Sequence, residues 1–467
     1  MGLRLGRPLA SLPALGPCTW KRPRPRHASS VSASKLQFGQ PVHETHPHLL
    51  QAGQVTPGIT AQEYASRRAA FARLLPRRAV AVLPAAPLLF KSGAVFHPYR
   101  QESNFFWLTG WDEPDALALI ENLGPNPDDH VFHMFVKPKD PVQEQWSGYR
   151  NGVDAAQHVF NADKAYSIHD APDRLPSMLA SASHVYAQDG ALGPMMPRSS
   201  LATTPLSPLL NKLRVIKSPA EVANMRKAGQ LSGRAITDAM RRPWAREKEL
   251  HAFLDYTFIT NGCQAPAYIP VVAGGENANC IHYTANNNTI GPNDLILVDA
   301  GGEYGTYISD ISRTWPASGR FSPAQRDLYE AVLAVQRDAV SLCRESANNS
   351  LEQIHHATAH ALVARLRDIS FDISLSSIHK LFPHHVGHYI GLDVHDCPGY
   401  TRCEPLISGH CVTIEPGVYV PHDDRWPRHF HGMGIRIEDS VCVDKDAPYI
   451  LSTEAVKEVD DIEALPS

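Results

Sequence analysis

The stretch ILVDAGGEYGTYISDISRTW, residues 296–315, places two acids, Asp299 and Asp310, on either side of a glycine-rich turn. Asp299 closes the apolar run Leu295-Ile296-Leu297-Val298 and is followed by Ala300-Gly301-Gly302. Asp310 lies eleven residues later, far enough for a hairpin to bring the second acid back beside the first. Three further segments carry the same kind of residue. They are PHHVGHYIGLDVHD (383–396) with His388, TIEPGVY (413–419) with Glu415, and GIRIEDS (434–440) with Glu438. Glu415 follows Val412-Thr413-Ile414 and is stopped by Pro416-Gly417, while alternation along Ile435-Arg436-Ile437-Glu438 sets Arg436 and Glu438 on one face. Each acid thus lies in or beside a run that reads as a buried strand, unlike an ordinary surface charge. Four carboxylates in an apolar setting repel one another and cost several kcal/mol each to bury as free ions. Two divalent cations bring that charge to zero, so the pattern implies a scaffold for a two-metal hydrolytic centre.

The rest of the chain is long enough to build one. At 467 residues it exceeds a single ordinary core, and two or three domains are expected. The hydrophobic fraction of 43% and charged fraction of 20% are those of a globular protein. The net charge is −4, and no Lys/Arg stripe follows the N-terminus, which argues against nucleic acid as a partner. The most apolar stretch, 79–90, is short and broken by Pro84 and Pro87, so no membrane span is expected. Eight cysteines include no CxxC pair and read as free thiols in a reducing compartment.

Residues 1–43 contain Arg4, Arg7, Lys21, Arg22, Arg24, Arg26 and Lys35 and no acid. A basic, acid-free, Ser/Ala/Leu-rich leader of this kind reads as a disordered mitochondrial transit peptide, although Pro8, Pro13 and Pro17 interrupt any long helix. Its removal would shift the net charge from −4 to −11. A first domain is expected over 57–205. Thr60 and Glu63 have capping-box spacing at a helix start, residues 79–85, 115–122 and 130–136 read as strands, and 96–111 reads as an aromatic-dense loop and strand. The Pro/Ser/Thr-rich stretch 194–208 marks the boundary. The second domain is expected over 209–467, with Ser218-Pro219-Ala220-Glu221 and Ser322-Pro323-Ala324-Gln325 each opening a helix. The fold class is α+β, with a smaller α/β domain in front.

These segments resemble the aminopeptidase P and methionine aminopeptidase superfamily, whose catalytic domain has the pita-bread fold. The order Asp, Asp, His, Glu, Glu has a counterpart here at every position. HHVGHYIGLDVHD (384–396), TIEPGVY and GIRIED are similar to the Xaa-Pro peptidase branch. YRQESNFFWLTG (99–110) and WSGYRNG (146–152) resemble that branch's creatinase-like N-terminal domain, and RVIKSPAEVANMRKAG (214–229) resembles the helix that opens its catalytic domain. The basic leader points to mitochondrial members, hence to the matrix.

The resemblance implies roles. Asp310 and Glu438 would bridge two metal ions, Mn²⁺ before Zn²⁺, Co²⁺ or Fe²⁺, with Asp299 on one and His388 and Glu415 on the other. Glu415 would act as general base and proton donor. His282 and His395 would hydrogen-bond the scissile peptide and the oxyanion, His384 would be a further pocket residue, and Arg436 would orient a ligand carboxylate. His431 departs from the arginine of many relatives. The implied substrates are peptide or protein N-termini, either Xaa-Pro peptides or mitochondrial proteins trimmed by one residue after presequence cleavage. The implied assembly is a homo-oligomer, taken as a dimer. The alternatives are a prolidase-like dipeptidase and a catalytically inactive pita-bread binding module, which would be expected to have lost ligands.

Overall fold

A computed structural model of the chain describes residues 37–126, 129–188 and 203–465. Residues 1–36 of the expected leader and 194–202 of the expected boundary lie outside the described residues. Within the leader range, the described residues 37–43 depart from expectation, because they pack into the body. The Gln40 side chain is buried, donates to the Gly110 carbonyl (2.9 Å) and accepts from the Asp112 amide (2.7 Å). No helix of the described residues is long and apolar enough to cross a membrane. The seven described cysteines are unpaired.

The front half is built on a six-stranded mixed sheet. In spatial order its strands are Thr203–Pro205, Val185–Ala187, Val80–Pro84, Leu117–Asn122, His130–Val136 and Lys164–Ser167. The two central pairings are antiparallel, and the flanking ones are parallel. Alternation gives the sheet two apolar faces. Val80, Val82, Leu117 and Leu119 pack with Leu175 and Leu179 on one side, and Ala81, Leu83, Ala118 and Ile120 pack with Phe71 and Trp111 on the other.

Thr60 caps the helix Ala61–Leu74, accepting from the Glu63 amide at 3.2 Å. Glu63 does not close the box but bonds Arg67 (2.6 Å) and accepts from Ser218 Oγ (2.7 Å). The segment expected as aromatic loop and strand contains a helix instead, Ser103–Thr109. Glu102 caps it by accepting from the Phe105 amide, and Gly110 ends it at φ 67°, where a side chain would be strained. The aromatic run conceals this helix from a periodicity reading because all seven of its residues are buried.

In the second half, Ser218 and Ser322 form complete capping boxes with Glu221 and Gln325, opening the helices Pro219–Met240 and Pro323–Ser341. Behind the site lie the antiparallel strands Val271–Gly274, Leu295–Asp299 and Ser312–Pro316. Two further antiparallel groups follow: Cys411–Ile414 with Asp439–Val443 and Pro448–Ile450, and Gly417–Tyr419 with Gly434–Arg436. Ile296 and Val298 join the main core with Leu254 and Val332, while Leu297 faces the other way onto Val271, Ala273 and Tyr419. Two residues on from Leu297, Asp299 falls on that second face.

The halves share a core, in which Tyr64, Phe105 and Phe106 pack with Leu210, Met225, Tyr307, Ile390 and Leu392. Buried Glu221 stitches the seam, accepting from Trp107 Nε1 (3.0 Å) and Tyr307 OH (2.6 Å).

Candidate metal centre

The strands aim their ends at one cavity of about 350 Å³. Asp299 lies opposite Ser312 in the ladder, and the hairpin Gly302–Tyr304/Tyr307–Ile308 returns the chain so that Asp310 comes alongside. Only glycine fits at the crossing, since a Cβ on Gly301 would lie 1.8 Å from the Ser309 carbonyl oxygen. His388 reaches the same place because Gly387 lets its loop touch the next strand, where a Cβ would meet the Thr413 carbonyl at 1.9 Å. Glu415 follows the strand Cys411–Ile414, and Glu438 is held by its amide on the Ser312 carbonyl (3.0 Å).

Asp310, His388 and Glu438 present ligand atoms within 4.8 Å of one another. His388 Nε2 is 3.4 Å from Asp310 Oδ2 and 3.6 Å from Glu415 Oε1. His388 Nδ1 donates to the Tyr389 carbonyl (3.1 Å), which turns Nε2 toward the acids. Asp299 Oδ2 accepts from Arg436 Nη2 (2.8 Å), Glu438 Oε2 from Ser312 Oγ (2.7 Å), and Glu415 Oε1 from Thr413 Oγ1 (3.3 Å).

Protons report the crowding of charge. Burial, then Asp310, Glu415 and Asp299, push the Glu438 carboxyl well above the carboxylate range. Burial raises Glu415 to about 7 against the pull of His388 and Arg436, and burial with Asp310 raises Asp299 to about 6. The Asp310–His388 pair moves the other way. Burial opposes both charges, yet their mutual hydrogen bond holds Asp310 low and lifts His388 to about 9. Asp310 and Glu438, buried, and Asp299 and Glu415, partly buried, offer hard oxygen donors beside one imidazole, and the raised carboxyls among them mark a place where positive charge is wanted, a set that fits divalent cations.

His282 and His395 line the cavity with the five, and the His395 ring meets His388 edge-on at 4.3 Å. Burial, then His388, lowers the His395 pKa. Arg436 also lines it, fully buried, with Nε on Ser312 Oγ and Nη1 on Tyr419 OH. His384 departs from expectation by not lining the cavity. It sits behind Glu415, Nδ1 being 3.7 Å from Oε2, and accepts from Tyr419 OH at 2.9 Å. Burial, then Arg436, pushes it down to about 3, so it is neutral. His431 is turned away onto the Trp426 carbonyl (3.0 Å). Every lining residue falls within 268–438, so the front half contributes none.

Tyr268, which no motif marked, lines the cavity and donates toward both Asp299 and Asp310. Its only signal is its place just before the strand paired with that of Asp299. Removing the hydroxyl in Tyr268→Phe leaves the two carboxylates less well held. Metal affinity, read by competition with a fluorescent chelator, is expected to fall about 10-fold with the fold intact.

Compared with known proteins, residues 223–445 match the metallopeptidase family M24 and residues 64–186 the aminopeptidase P N-terminal domain. The chain belongs to that family and is a metalloaminopeptidase of the aminopeptidase P type on the pita-bread fold, an enzyme of divalent metal ions. It is 42% identical to intermediate cleaving peptidase 55 of Saccharomyces cerevisiae over 94% of this chain and 92% of that protein. It is 37% identical to Xaa-Pro aminopeptidase 3 of Homo sapiens over 92% of this chain and 90% of that one. The crystal structure of the yeast protein lacking 58 N-terminal residues superposes with a TM-score of 0.82, covering 88% of this chain and 98% of that one.

Proposed function

We propose that Asp299, Asp310, His388, Glu415 and Glu438 hold two Mn²⁺ ions, and that the protein removes single residues from the N-termini of mitochondrial proteins after presequence cleavage. The observation that carries this reading is the convergence of all five on one cavity together with His282, His395 and Arg436. When bound, the ions supply Lewis acidity and lower the pKa of water. The chain's own groups do the rest. Glu415 takes the proton of the attacking water on its carboxylate and passes it to the leaving nitrogen. His282 and His395 donate to the scissile peptide and to the charge that develops on its oxygen. Arg436 fixes Asp299 and, through Tyr419, the neutral His384 beside Glu415. His384 is therefore a positioning residue.

Similarity to both an intermediate cleaving peptidase and an Xaa-Pro aminopeptidase supports either kind of N-terminus as substrate. The similarity to mitochondrial relatives weighs against a dipeptidase, and the full ligand set weighs against an inactive binding module. The basic residues before Lys35 and the similarity to the mitochondrial protein of Arabidopsis thaliana support a matrix address. The domains are taken as 57–205 and 209–467, assembled as a homodimer.

N-terminal proteomics of mitochondria with and without the protein tests the substrate. One-residue extensions beginning with Tyr, Leu or Phe are expected without it, and accumulation of Xaa-Pro termini alone would move the assignment to peptide turnover. Chelation by EDTA is expected to silence the enzyme and Mn²⁺ to restore it. In the metal-free protein His388 and Glu415, at about 9 and about 7, hold protons that ligation must displace. Metal affinity therefore falls as pH drops from 8 to 6, and titration calorimetry in buffers of different ionisation enthalpy shows proton release.

A further inference from the structure

The front half lines no part of the cavity, yet it grips the loop that carries His395. Among the described residues no side-chain hydrogen bond to the His395 ring is made, and the ring meets His388 edge-on, so its backbone sets its place. That backbone is tied at the next residue. Asp396 is buried, its Oδ1 accepting from Arg214 Nη2 (2.5 Å) and its Oδ2 from Lys217 Nζ (2.8 Å). Its amide closes the loop on the Tyr389 carbonyl (2.8 Å). Gly391 passes directly over the pair, where a Cβ would lie 2.6 Å from Asp396 Oδ2 and 2.8 Å from Lys217 Cε.

Arg214 is the hub. Besides Asp396 it donates to Asp393 Oδ2 (3.1 Å), on the same loop, and to Asn104 Oδ1 (2.6 Å), on the front-half helix Ser103–Thr109. Ser103 Oγ donates to the other oxygen of Asp393 (2.6 Å), and Arg100 reaches the Leu392 carbonyl. One planar guanidinium thus spans two halves of the chain and fixes both acids that flank His395. A lysine carries the same charge but cannot serve three acceptors in fixed directions.

We infer that Arg214 is a positioning residue for His395, and that the front half sets the activity of the centre through this clamp. The inference rests on the reading of His395 as a donor to the reacting peptide. A displacement of about 1 Å at such a group is worth on the order of 100-fold in rate.

A double-mutant cycle on the Mn²⁺-loaded full chain tests it, with kcat and KM measured separately for wild type, Arg214→Lys, His395→Ala and the double variant. Arg214→Lys is expected to lower kcat about 10- to 100-fold with KM within about twofold, and His395→Ala to lower it about 100-fold. In the His395→Ala background the Arg214 change should lose less than about threefold more, since its target is gone. Losses that multiply, or an unchanged kcat in Arg214→Lys, overturn the inference alone. Wild-type kcat in His395→Ala overturns the reading of His395 and the inference with it. Should Arg214→Lys fail to fold, Asp393→Asn, at a half-exposed anchor, runs the same cycle with an expected loss of about 3- to 10-fold and the same deciding outcomes.

Discussion

Glu415→Ala is expected to lower kcat by at least about 10³-fold, because one side chain leaves both the ligand set and the proton path. The protein should stay folded. Burial already drives the Glu415 carboxyl to about 7, so in the metal-free state its charge opposes folding, and removing it relieves crowding with Asp310 and Asp299. Melting temperature within about 3 °C of wild type, alongside lost peptidase activity, is the expected pair of results. Asp310→Ala is expected to be equally inactive, and it also frees His388 from the carboxylate that keeps it charged. Wild-type-like turnover in either variant would refute the metal mechanism.

Asp439→Ala is expected to destabilise the protein by about 3–5 kcal/mol, the range for removing one partner of a buried ion pair. Asp439 stands next to Glu438 but turns to the opposite side of the strand. It accepts from Arg313 (2.7 Å), Lys457 (2.5 Å), Gln336 (2.8 Å) and Ser452 (2.7 Å). Alanine would leave the buried Arg313 and the partly buried Lys457 without their counter-ion. Over the roughly 410 described residues this corresponds to a melting-temperature fall of roughly 3–6 °C, measured by calorimetry. The pH dependence has a fixed sign. Burial opposes the Asp439 charge, but Arg313 and Lys457 hold its pKa well below the usual carboxylate range. A depressed folded-state pKa gives stability that is present above the unfolded value near 4 and is lost only as pH falls toward the folded one. Between pH 5 and 8 the difference between wild type and Asp439→Ala should therefore be flat.

The two aspartates show why so much of the site was legible in sequence. A buried strand that ends in an acid, a glycine-rich return and a second acid are local facts, and Asp299, Asp310 and the Gly301 crossing follow from them. The same holds for Glu415 after its strand and for the capping boxes at Ser218 and Ser322. What stayed hidden is non-local. Tyr268 is marked only by where the turn before its strand happens to point. His384 reads like its neighbours His385 and His388, and only the fold shows that Tyr419 and Glu415 hold it behind the cavity. The helix Ser103–Thr109 is obscured because burial on every side removes the polar stripe that a periodicity reading needs. Gln40 belongs to the body although its neighbours upstream are leader-like, since its hydrogen bonds to Gly110, Asp112 and Asn151 all reach residues more than sixty positions away.

On the proposed function, five side chains from four segments assemble one two-metal site. Anomalous diffraction from crystals of the Mn²⁺-loaded protein tests it most directly. Two manganese peaks are expected within the cavity, both among Asp299, Asp310, His388, Glu415 and Glu438. A single peak, or peaks away from these side chains, would contradict the account.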